Sequence, residues 1–368
     1  MMSANCRVEF RDCTFSDEEI ETAATSGGLL TMEMEITTCC NFRCAYCYVP
    51  GDVSSHFMPF GLFQDSVLQA KRIGCRRVIL LGGEPMLHPQ IREMVSFLHG
   101  EGIVPEIFTN GTRIDRETVE LFDRCGVFLV IKCNALDPAT QNRLSGIPAA
   151  DEIIRNAFSV LVSYRREKIN AGEPLPAFGL NTVICRANYL DIPDIWRLAR
   201  NHGFLPCIER MNPVNHAAEN AAWLNISIDE TRAMFERLAK IDREEFGKEW
   251  PIQPPLVGRR CLRNRYSCVV AWDGSVKPCV GIPIVVGNVG ETPLAEIIAT
   301  SPVLRNLRNY RETIHGPCRQ CPQHDSCYGC RGTAFQLTGD YLASDPLCWR
   351  IPHPSGSTAL PGTRRGDT

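Results

Sequence analysis

Four cysteines stand within nine residues in the stretch TTCCNFRCAYCYVPG at positions 37–51. Cys40, Cys44 and Cys47 have the spacing C-x3-C-x2-C, which places three thiolates on one short loop where they can converge on a single metal cluster. Thiolates are preferred ligands of iron-sulfur clusters and of zinc, and a cube of four irons takes four ligands. Three protein ligands would leave one iron open. A zinc site without a local fourth ligand and buried unliganded thiols are the alternatives. The adjacent Cys39 does not fit the C-x3-C-x2-C spacing, so we do not expect it to be a ligand.

A second group of cysteines lies near the C-terminus. Its members are Cys261, Cys268, Cys279, Cys318, Cys321, Cys327, Cys330 and Cys348. The central run has the spacing C-x2-C-x5-C-x2-C, and eight thiolates would complete two four-cysteine iron-sulfur sites. Paired zinc ribbons would use the same number of ligands. The spacing therefore predicts metal binding without deciding which metal.

The composition limits the classes of function. Nineteen of 368 residues are cysteine, yet the N-terminus has no basic region followed by an apolar core, so we expect a reducing cytoplasm rather than secretion. A net charge of −3 argues against a general nucleic-acid-binding protein. No run of about 18 apolar residues indicates a membrane span. We therefore expect neither a nucleic acid nor a membrane as a partner, and metal or redox chemistry for the cysteines.

The cysteine loop directly follows a predicted strand, and strands then alternate with helices. The strands are predicted at 30–37, 76–81, 104–109, 127–133, 177–185 and 204–211, and the helices at 60–74, 89–100, 115–124, 151–168 and 190–202. Such alternation predicts parallel βαβ units, and six of them predict an α/β fold with a partial (β/α)6 barrel. Active sites of such barrels lie at the C-terminal ends of the strands, where the cysteine loop and the segments GGEP, TNGT, KCNALD and RMNPVN are predicted to lie.

Four regions are predicted along the chain. An N-terminal extension covers residues 1–30, and the barrel covers 31–250. The Pro-rich segment WPIQPPLVG marks a boundary before a cysteine-rich domain at 258–350. Residues 351–368 have the composition of a disordered tail.

The sequence CNFRCAYC after the first strand, with Tyr46 before the last cysteine and GGEP after the second strand, resembles the radical S-adenosylmethionine (SAM) superfamily. The resemblance implies that Cys40, Cys44 and Cys47 bind a 4Fe-4S cluster whose open iron binds the amino and carboxylate groups of SAM. Reductive cleavage of SAM would then produce a 5′-deoxyadenosyl radical that removes a hydrogen atom from an unactivated C–H bond. A flavodoxin- or ferredoxin-type protein would supply the electron.

The same resemblance implies a set of SAM-binding residues. Tyr46 would pack beside the adenine, and the backbone of Gly82, Gly83 and Glu84 would receive the methionyl amino group. The remaining residues implied for the SAM pocket are Thr109, Asn110, Asn181 and, in place of a serine frequent in relatives, Lys132 or Asn134. A Lys ammonium could pair with the SAM carboxylate directly. Polar residues at strand ends also have a simpler interpretation as caps.

The C-terminal cysteines resemble the SPASM domain, an extension with two auxiliary 4Fe-4S clusters. Gly274, separated from Cys279 by SVKP, and the C-x2-C-x5-C run support this resemblance. It implies an inner cluster on Cys261, Cys268, Cys279 and Cys330 and an outer cluster on Cys318, Cys321, Cys327 and Cys348. The interval before Cys330 is one residue shorter than usual. Val280 stands where sulfatase maturases have an aspartate, which argues against that activity.

We expect the substrate to be a small natural-product or cofactor precursor, because only about thirty residues precede the first strand, too few for a leader-binding domain. Dehydrogenation, epimerisation or related remodelling would follow hydrogen abstraction. Glu209, Asp273 and His216 are weak candidates for a general base, and Cys207 for a hydrogen donor. The alternatives are a maturase of ribosomal peptides or proteins and, in another class, a non-catalytic iron-sulfur carrier or zinc-binding module.

Overall fold

The computed structural model describes residues 15–49, 54–254, 256–258 and 260–351. The strands are β1 Thr31–Glu35, β2 Arg77–Leu81, β3 Val104–Thr109, β4 Phe128–Lys132, β5 Ala177–Ile184, β6 Leu205–Arg210, β7 Val269–Ala271, β8 Ser275–Lys277 and β9 Gly287–Asn288. The α-helices are α1 Asp17–Ser26, α2 Phe60–Arg72, α3 Ile91–Gly100, α4 Arg116–Arg124, α5 Pro138–Ser145, α6 Ala150–Ala171, α7 Ile192–Asn201, α8 His216–Glu219, α9 Ala221–Leu224 and α10 Ile228–Phe246. They are followed by α11 Leu294–Thr300, α12 Pro302–Arg308, α13 Tyr310–Thr313 and α14 Arg331–Thr338.

The first six strands form a parallel sheet with helices between them. The order of strands is β6-β5-β4-β3-β2-β1, and each pair of neighbours is parallel. The predicted partial (β/α)6 arrangement is therefore confirmed. Because all six strands run in one direction, their C-terminal ends lie along one rim, where the loops with polar residues follow.

The sheet continues into the C-terminal region, which the sequence did not predict. Strand β7 pairs with β1 in parallel, with Glu33 opposite Val269 and Met34 opposite Val270. Strands β8 and β9 then extend the sheet in antiparallel fashion. The cysteine-rich region is thus joined to the barrel by backbone hydrogen bonds, and β1 is a central strand.

The main core lies between one face of this sheet and its covering helices. It includes Met32 and Met34 from β1, Val270 from β7, and Phe63 from α2, all essentially without solvent exposure. The long helix α10 begins at Ser227, whose hydroxyl accepts a hydrogen bond from the Glu230 N–H in a capping box, as its sequence indicates.

The predicted N-terminal extension contains helix α1, which packs on the C-terminal region rather than on the barrel helices. Ile20 and Ala23 of α1 share a buried cluster with Tyr310 and Tyr328. The carboxylate of Glu21 forms an ion pair of 2.9 Å with the buried Arg265 guanidinium. Residues 1–14, and 352–368 of the predicted tail, lie outside the described residues.

In the described ranges, none of the helices combines the length and the hydropathy that a membrane span requires.

Candidate functional site

A cavity of about 240 Å³, called the first cavity below, opens at the C-terminal ends of the parallel strands. Its wall combines the cysteine loop, residues 40–47, with the ends of strands β2 to β6. The predicted site residues in this wall are Cys40, Cys44, Tyr46, Cys47, Gly82, Gly83, Glu84, Thr109, Asn110, Lys132, Asn181 and Glu209. The fold thus brings together residues that lie far apart in the sequence.

The cysteine loop is held on one side by the C-terminal end of helix α5. The N–H groups of Arg43 and Ala45 donate to the carbonyl oxygens of Ser145 and Leu144, each at 2.9 Å. Helix α5 ends at Gly146, which has a φ of +69° and where a Cβ would lie 2.2 Å from the Arg43 carbonyl oxygen. A residue other than glycine there would therefore push the loop away.

On its other side the loop is held by residues 215–220, called the clasp segment below. The Asn220 amide donates to the Ala45 carbonyl at 3.1 Å, and the His216 Nδ1 atom lies 3.3 Å from the Cys44 carbonyl oxygen. The Asn215 amide donates to the Tyr48 carbonyl. His216, predicted as a possible base, therefore contacts the backbone of the loop and does not line the first cavity.

The two glycines after β2 are required by the close approach of the cysteine loop. A Cβ at Gly82, which has a φ of +127°, would lie 2.2 Å from the Thr37 carbonyl oxygen, and one at Gly83 would lie 2.1 Å from that of Cys39. The N–H groups of Gly83 and Glu84 donate to the same two carbonyls at 2.7 Å. The structure thus shows a contact within the protein at these two glycines, and their predicted contact with the methionyl amino group stays a prediction.

The Glu84 side chain connects the ends of β2 and β3. It is almost fully buried and accepts hydrogen bonds from the Thr109 hydroxyl at 2.6 Å and from the N–H groups of Asn110 and Met86 at 2.7 and 3.0 Å. Burial raises the pKa of Glu84 to about 7, against the lowering effect of these hydrogen bonds. The Asn110 amide donates to the Asn41 side chain at 2.9 Å. Thr109 and Asn110 thus act as strand-end caps while lining the cavity.

Lys132 and Asn181 stand opposite each other on β4 and β5. The Lys132 ammonium donates to the Asn181 side-chain oxygen, and the Asn181 amide donates to the Cys207 carbonyl at 2.9 Å. An ammonium has three N–H donors, so Lys132 has donors left for a carboxylate in the cavity.

Asn134 lies behind the wall of the first cavity and contacts Tyr46. The fully buried Asn134 amide donates to the Tyr46 hydroxyl at 2.5 Å, and its oxygen accepts from the Val183 N–H at 3.0 Å. Of the two residues predicted to replace the serine of relatives, Lys132 lines the cavity and Asn134 does not. Asn134 instead fixes the position of the Tyr46 ring.

Three of the four predicted inner ligands surround a second cavity, of about 150 Å³. Cys261, Cys279 and Cys330 line it together with Tyr328. Cys268 does not line it, because it is buried in the main core, where burial and the nearby Cys75 thiol raise its pKa to about 12.

The predicted outer ligands lie together in the C-terminal region. The Cys348 thiol, whose pKa is raised to about 12 mainly by burial, interacts with Cys318 and Cys327. The Cys321 N–H donates to the Cys318 carbonyl at 3.3 Å, which keeps these two residues in one turn.

The side chain of Arg210, at the end of β6, links the barrel to the C-terminal region. Its guanidinium lies 3.0 Å from the buried carboxylate of Asp345 and donates to the Leu347 carbonyl at 2.7 Å. The same carboxylate oxygen accepts from the Cys330 N–H at 2.9 Å. Asp345 was not singled out from the sequence, because its partners lie on distant segments.

The weak catalytic candidates are separated by the structure. Glu209 lines both cavities. Cys207, two residues earlier on β6, is buried among Phe128 and Val130 and does not line the first cavity. Asp273 lies in the exposed turn between β7 and β8. Its carboxylate accepts a hydrogen bond from the Ser275 N–H at 3.0 Å, as aspartates in turns commonly do with the backbone two residues further on. Of the candidates, Glu209 is therefore the one that lines these cavities.

Two family models match the chain. Residues 34–159 match the radical SAM superfamily, and residues 261–322 match the SPASM iron-sulfur cluster-binding domain. The chain belongs to the radical SAM superfamily. It is an enzyme of the SPASM subgroup, which sets aside the non-catalytic carrier and the zinc module.

The relatives of this enzyme are similar over most of its length. The AdoMet-dependent heme synthase of Nitratidesulfovibrio vulgaris is 27% identical and matches 85% of this chain and 90% of its own. The PqqA peptide cyclase of Gluconobacter oxydans is 25% identical, with 88% and 91% covered. Among solved structures, Streptococcus suis SuiB bound to S-adenosylmethionine has a TM-score of 0.67 at 16% identity, covering 91% of this chain and 84% of its own.

The two domains imply a 4Fe-4S cluster that binds SAM, together with auxiliary iron-sulfur clusters. The donor set at the first cavity fits such a cluster. Burial raises the pKa of Cys40 to about 12 and that of Cys44 to about 11, so iron must displace protons from these thiols on binding. In the described part of the chain, no three His, Cys, Asp or Glu side chains are grouped to hold a single metal ion.

The second cavity also fits an anionic cluster. Arg331 lines it, is 1% exposed, and has two side-chain nitrogens, Nε and Nη2, without a hydrogen-bond partner among the described residues. Buried N–H groups are rarely left unpaired, so a bound acceptor is expected nearby. The sulfides and thiolates of an iron-sulfur cluster are suitable acceptors.

The contact of the clasp segment with the cysteine loop was missed by sequence reasoning, although RMNPVN was predicted to lie at the rim and His216 was a candidate base. Asn215 and Asn220 carry no motif, and they hold the cysteine loop only because the chain after β6 returns across it. One signal was available in the sequence: the polar run RMNPVNHAAEN directly follows a strand end, at the rim where active-site loops lie.

Proposed function

We propose that this enzyme removes a hydrogen atom from a C–H bond of a small cofactor or natural-product precursor bound between the two cavities. The observation that carries the proposal is the position of Glu209, Arg210, Asn212 and Arg263, which line both cavities at once. A substrate there would lie between the proposed SAM site and the inner auxiliary cysteines. Relatives named for heme synthesis support a cofactor precursor as the substrate class.

In this proposal, Cys40, Cys44 and Cys47 hold the cluster, which when bound supplies the electron that cleaves SAM. Lys132 binds the SAM carboxylate with the N–H groups that Asn181 leaves free, and Tyr46, oriented by Asn134, packs beside the adenine. A flavodoxin- or ferredoxin-type protein delivers the electron.

Glu209 is proposed to contact the substrate and to accept a proton from it. Glu33 lines both cavities too, but its carboxylate is paired with the Arg263 guanidinium at 2.6 Å, and this pair forms a charged wall beside the substrate. Tetrapyrrole precursors carry carboxylate side chains, which Arg263, a cation that lines both cavities, complements.

The decisive experiment uses the reconstituted full-length enzyme with SAM, reductant and a deuterated substrate. Tetrapyrrole haem precursors are tested first, and transfer of deuterium into 5′-deoxyadenosine is followed by mass spectrometry. Transfer from a tetrapyrrole supports the proposal. SAM cleavage without deuterium transfer from any small precursor would contradict it.

A peptide is the second candidate substrate, because one relative is named a peptide cyclase. Short precursor peptides encoded beside the gene are tested in the same assay. Deuterium transfer from a labelled peptide, with none from small precursors, would favour the peptide over the cofactor precursor.

Glu209→Gln separates a role in catalysis from one in folding. The variant is expected to keep SAM binding and uncoupled 5′-deoxyadenosine formation while it loses substrate product. Glu296→Gln, which changes an exposed carboxylate on α11 outside both cavities, is the matched control and is expected to retain product formation.

A further inference from the structure

Three of the predicted inner ligands, Cys261, Cys279 and Cys330, line the second cavity. The fourth, Cys268, lies on the opposite face of the sheet, in the main core. Glu33, in register with Val269, points to the face of the sheet that carries both cavities. Met34, in register with Val270, points to the opposite face, into the main core.

Cys268 lies two residues before Val270, so strand alternation places its side chain on the core face. The structure agrees, because Cys268 is 1% exposed and belongs to the main core with Val270 and Cys75. Its carbonyl oxygen accepts a hydrogen bond from the Glu33 N–H at 2.9 Å, which fixes the register. A shift by one residue would be needed to turn the thiol toward the cavity, and it would expose the apolar side chains of β7.

We propose that the inner auxiliary cluster is held by three thiolates, those of Cys261, Cys279 and Cys330, and that its fourth iron opens on the space shared with the first cavity. That iron would bind an anionic oxygen or sulfur donor of the substrate, such as a carboxylate or a thiolate. Binding would be a simple coordination of the donor to iron, with no bond broken and no electron transferred. Val280, which follows Cys279 and lines both cavities, has no donor atom to occupy the position.

The polar wall around the proposed open iron is suited to an incoming anion. Arg331 and Arg263 line the second cavity, and two Arg331 nitrogens, Nε and Nη2, have no hydrogen-bond partner among the described residues. The Tyr328 hydroxyl is already used, since it accepts from the Asn264 N–H at 3.2 Å and lies 4.0 Å from the Cys261 sulfur. The inference concerns the metal site alone and holds for either substrate class.

Iron analysis of cysteine variants tests which thiols are ligands. Cys268→Ala is expected to retain the iron and sulfide content of the wild type and its electron paramagnetic resonance spectrum, whereas Cys279→Ala should lose about four irons per chain. Cys75→Ala is the matched control, because this thiol is buried in the same core and the sequence assigns it no cluster. Loss of a cluster from Cys268→Ala, with Cys75→Ala intact, would overturn the proposal.

A second measurement tests the open iron directly, without relying on how stable each cysteine variant is. The Cys40→Ala, Cys44→Ala, Cys47→Ala variant lacks the SAM-binding cluster, so it leaves only auxiliary clusters to bind a probe. After reduction and addition of ¹³C-cyanide, electron-nuclear double resonance should show a ¹³C coupling to an auxiliary cluster. The coupling should persist when Cys268→Ala is added and disappear when Cys279→Ala is added.

Two results would refute the open position. The first is a triple variant that shows no ¹³C coupling although its auxiliary iron content is complete. The second is a coupling that appears only after Glu209→Gln is added, since this would identify the Glu209 carboxylate as the fourth ligand.

Discussion

Replacing Lys132 by methionine should weaken SAM binding without unfolding the enzyme. Methionine keeps the length of the side chain and removes the ammonium, whose described partner in the protein is the neutral oxygen of Asn181. A hydrogen bond to a charged group contributes about 1.5–3 kcal/mol. At about 1.4 kcal/mol for each factor of ten, the dissociation constant for SAM should rise roughly 10- to 150-fold.

The assay is a titration of the reconstituted, oxygen-free enzyme with SAM, followed by the change in the paramagnetic resonance spectrum of the reduced cluster. Lys71→Met is the matched control, because Lys71 is exposed and pairs with Glu101 at 2.8 Å on the surface. It should bind SAM as the wild type does. A Lys132→Met enzyme that binds SAM within about twofold of the wild type, with full iron content, would refute the assignment of Lys132 to the carboxylate.

Three other changes have outcomes that the structure defines. Asn220→Ala removes the hydrogen bond to the Ala45 carbonyl, together with those that the same side chain makes with the His216 carbonyl and the Trp223 indole, so a chelator should remove iron from the SAM-binding cluster about tenfold faster while the auxiliary irons remain. Asp242→Ala removes the buried carboxylate that pairs with the Arg200 guanidinium at 2.5 Å and should lower the free energy of unfolding in urea by about 3–5 kcal/mol, whereas Glu245→Gln at the surface should cost under about 1 kcal/mol. The Arg265 and Arg311 guanidinium groups lower the pKa of Glu21 to about 2, from a usual value near 4.5. Stability from this contact is therefore present above pH 4.5 and is lost as the pH falls toward 2, and Glu21→Gln should flatten this part of the pH profile of unfolding.

The barrel could be predicted from sequence because its signals are local. Strands β2 and β4 are short apolar runs that are buried over almost their whole length, and the serine before α10 carries its own capping box. The cysteine spacing and the Gly-Gly turn lie on strand ends, so the α/β order alone places them at one rim. Each of these features is contained within a few neighbouring residues.

The pairing of β7 with β1 could not be predicted in this way. It joins segments more than two hundred residues apart, and β7 is a three-residue strand without a distinctive pattern. The resemblance to the SPASM domain implied four inner ligands, whereas the register of β7 places one of them, Cys268, in the core. The number of cysteines in a motif does not by itself give the number of ligands.

The role of Asn134 was misplaced for a related reason. From sequence it occupies a strand-end position at the rim, which is the usual place for a ligand-binding side chain. Its amide turns instead toward Tyr46 and Val183, where it hydrogen-bonds the Tyr46 hydroxyl and the Val183 backbone N–H. Only the packing of neighbouring strands decides between these two directions.

The clasp segment also sets an order for the biogenesis of the enzyme. The cysteine loop leaves the ribosome early, but the Asn220 side chain that holds the Ala45 carbonyl lies 175 residues further along the chain. During synthesis the three thiols therefore emerge before the loop has its final shape. We expect iron delivery to the loop to follow synthesis of the barrel, and the nascent chain to need a reducing, oxygen-poor environment until then.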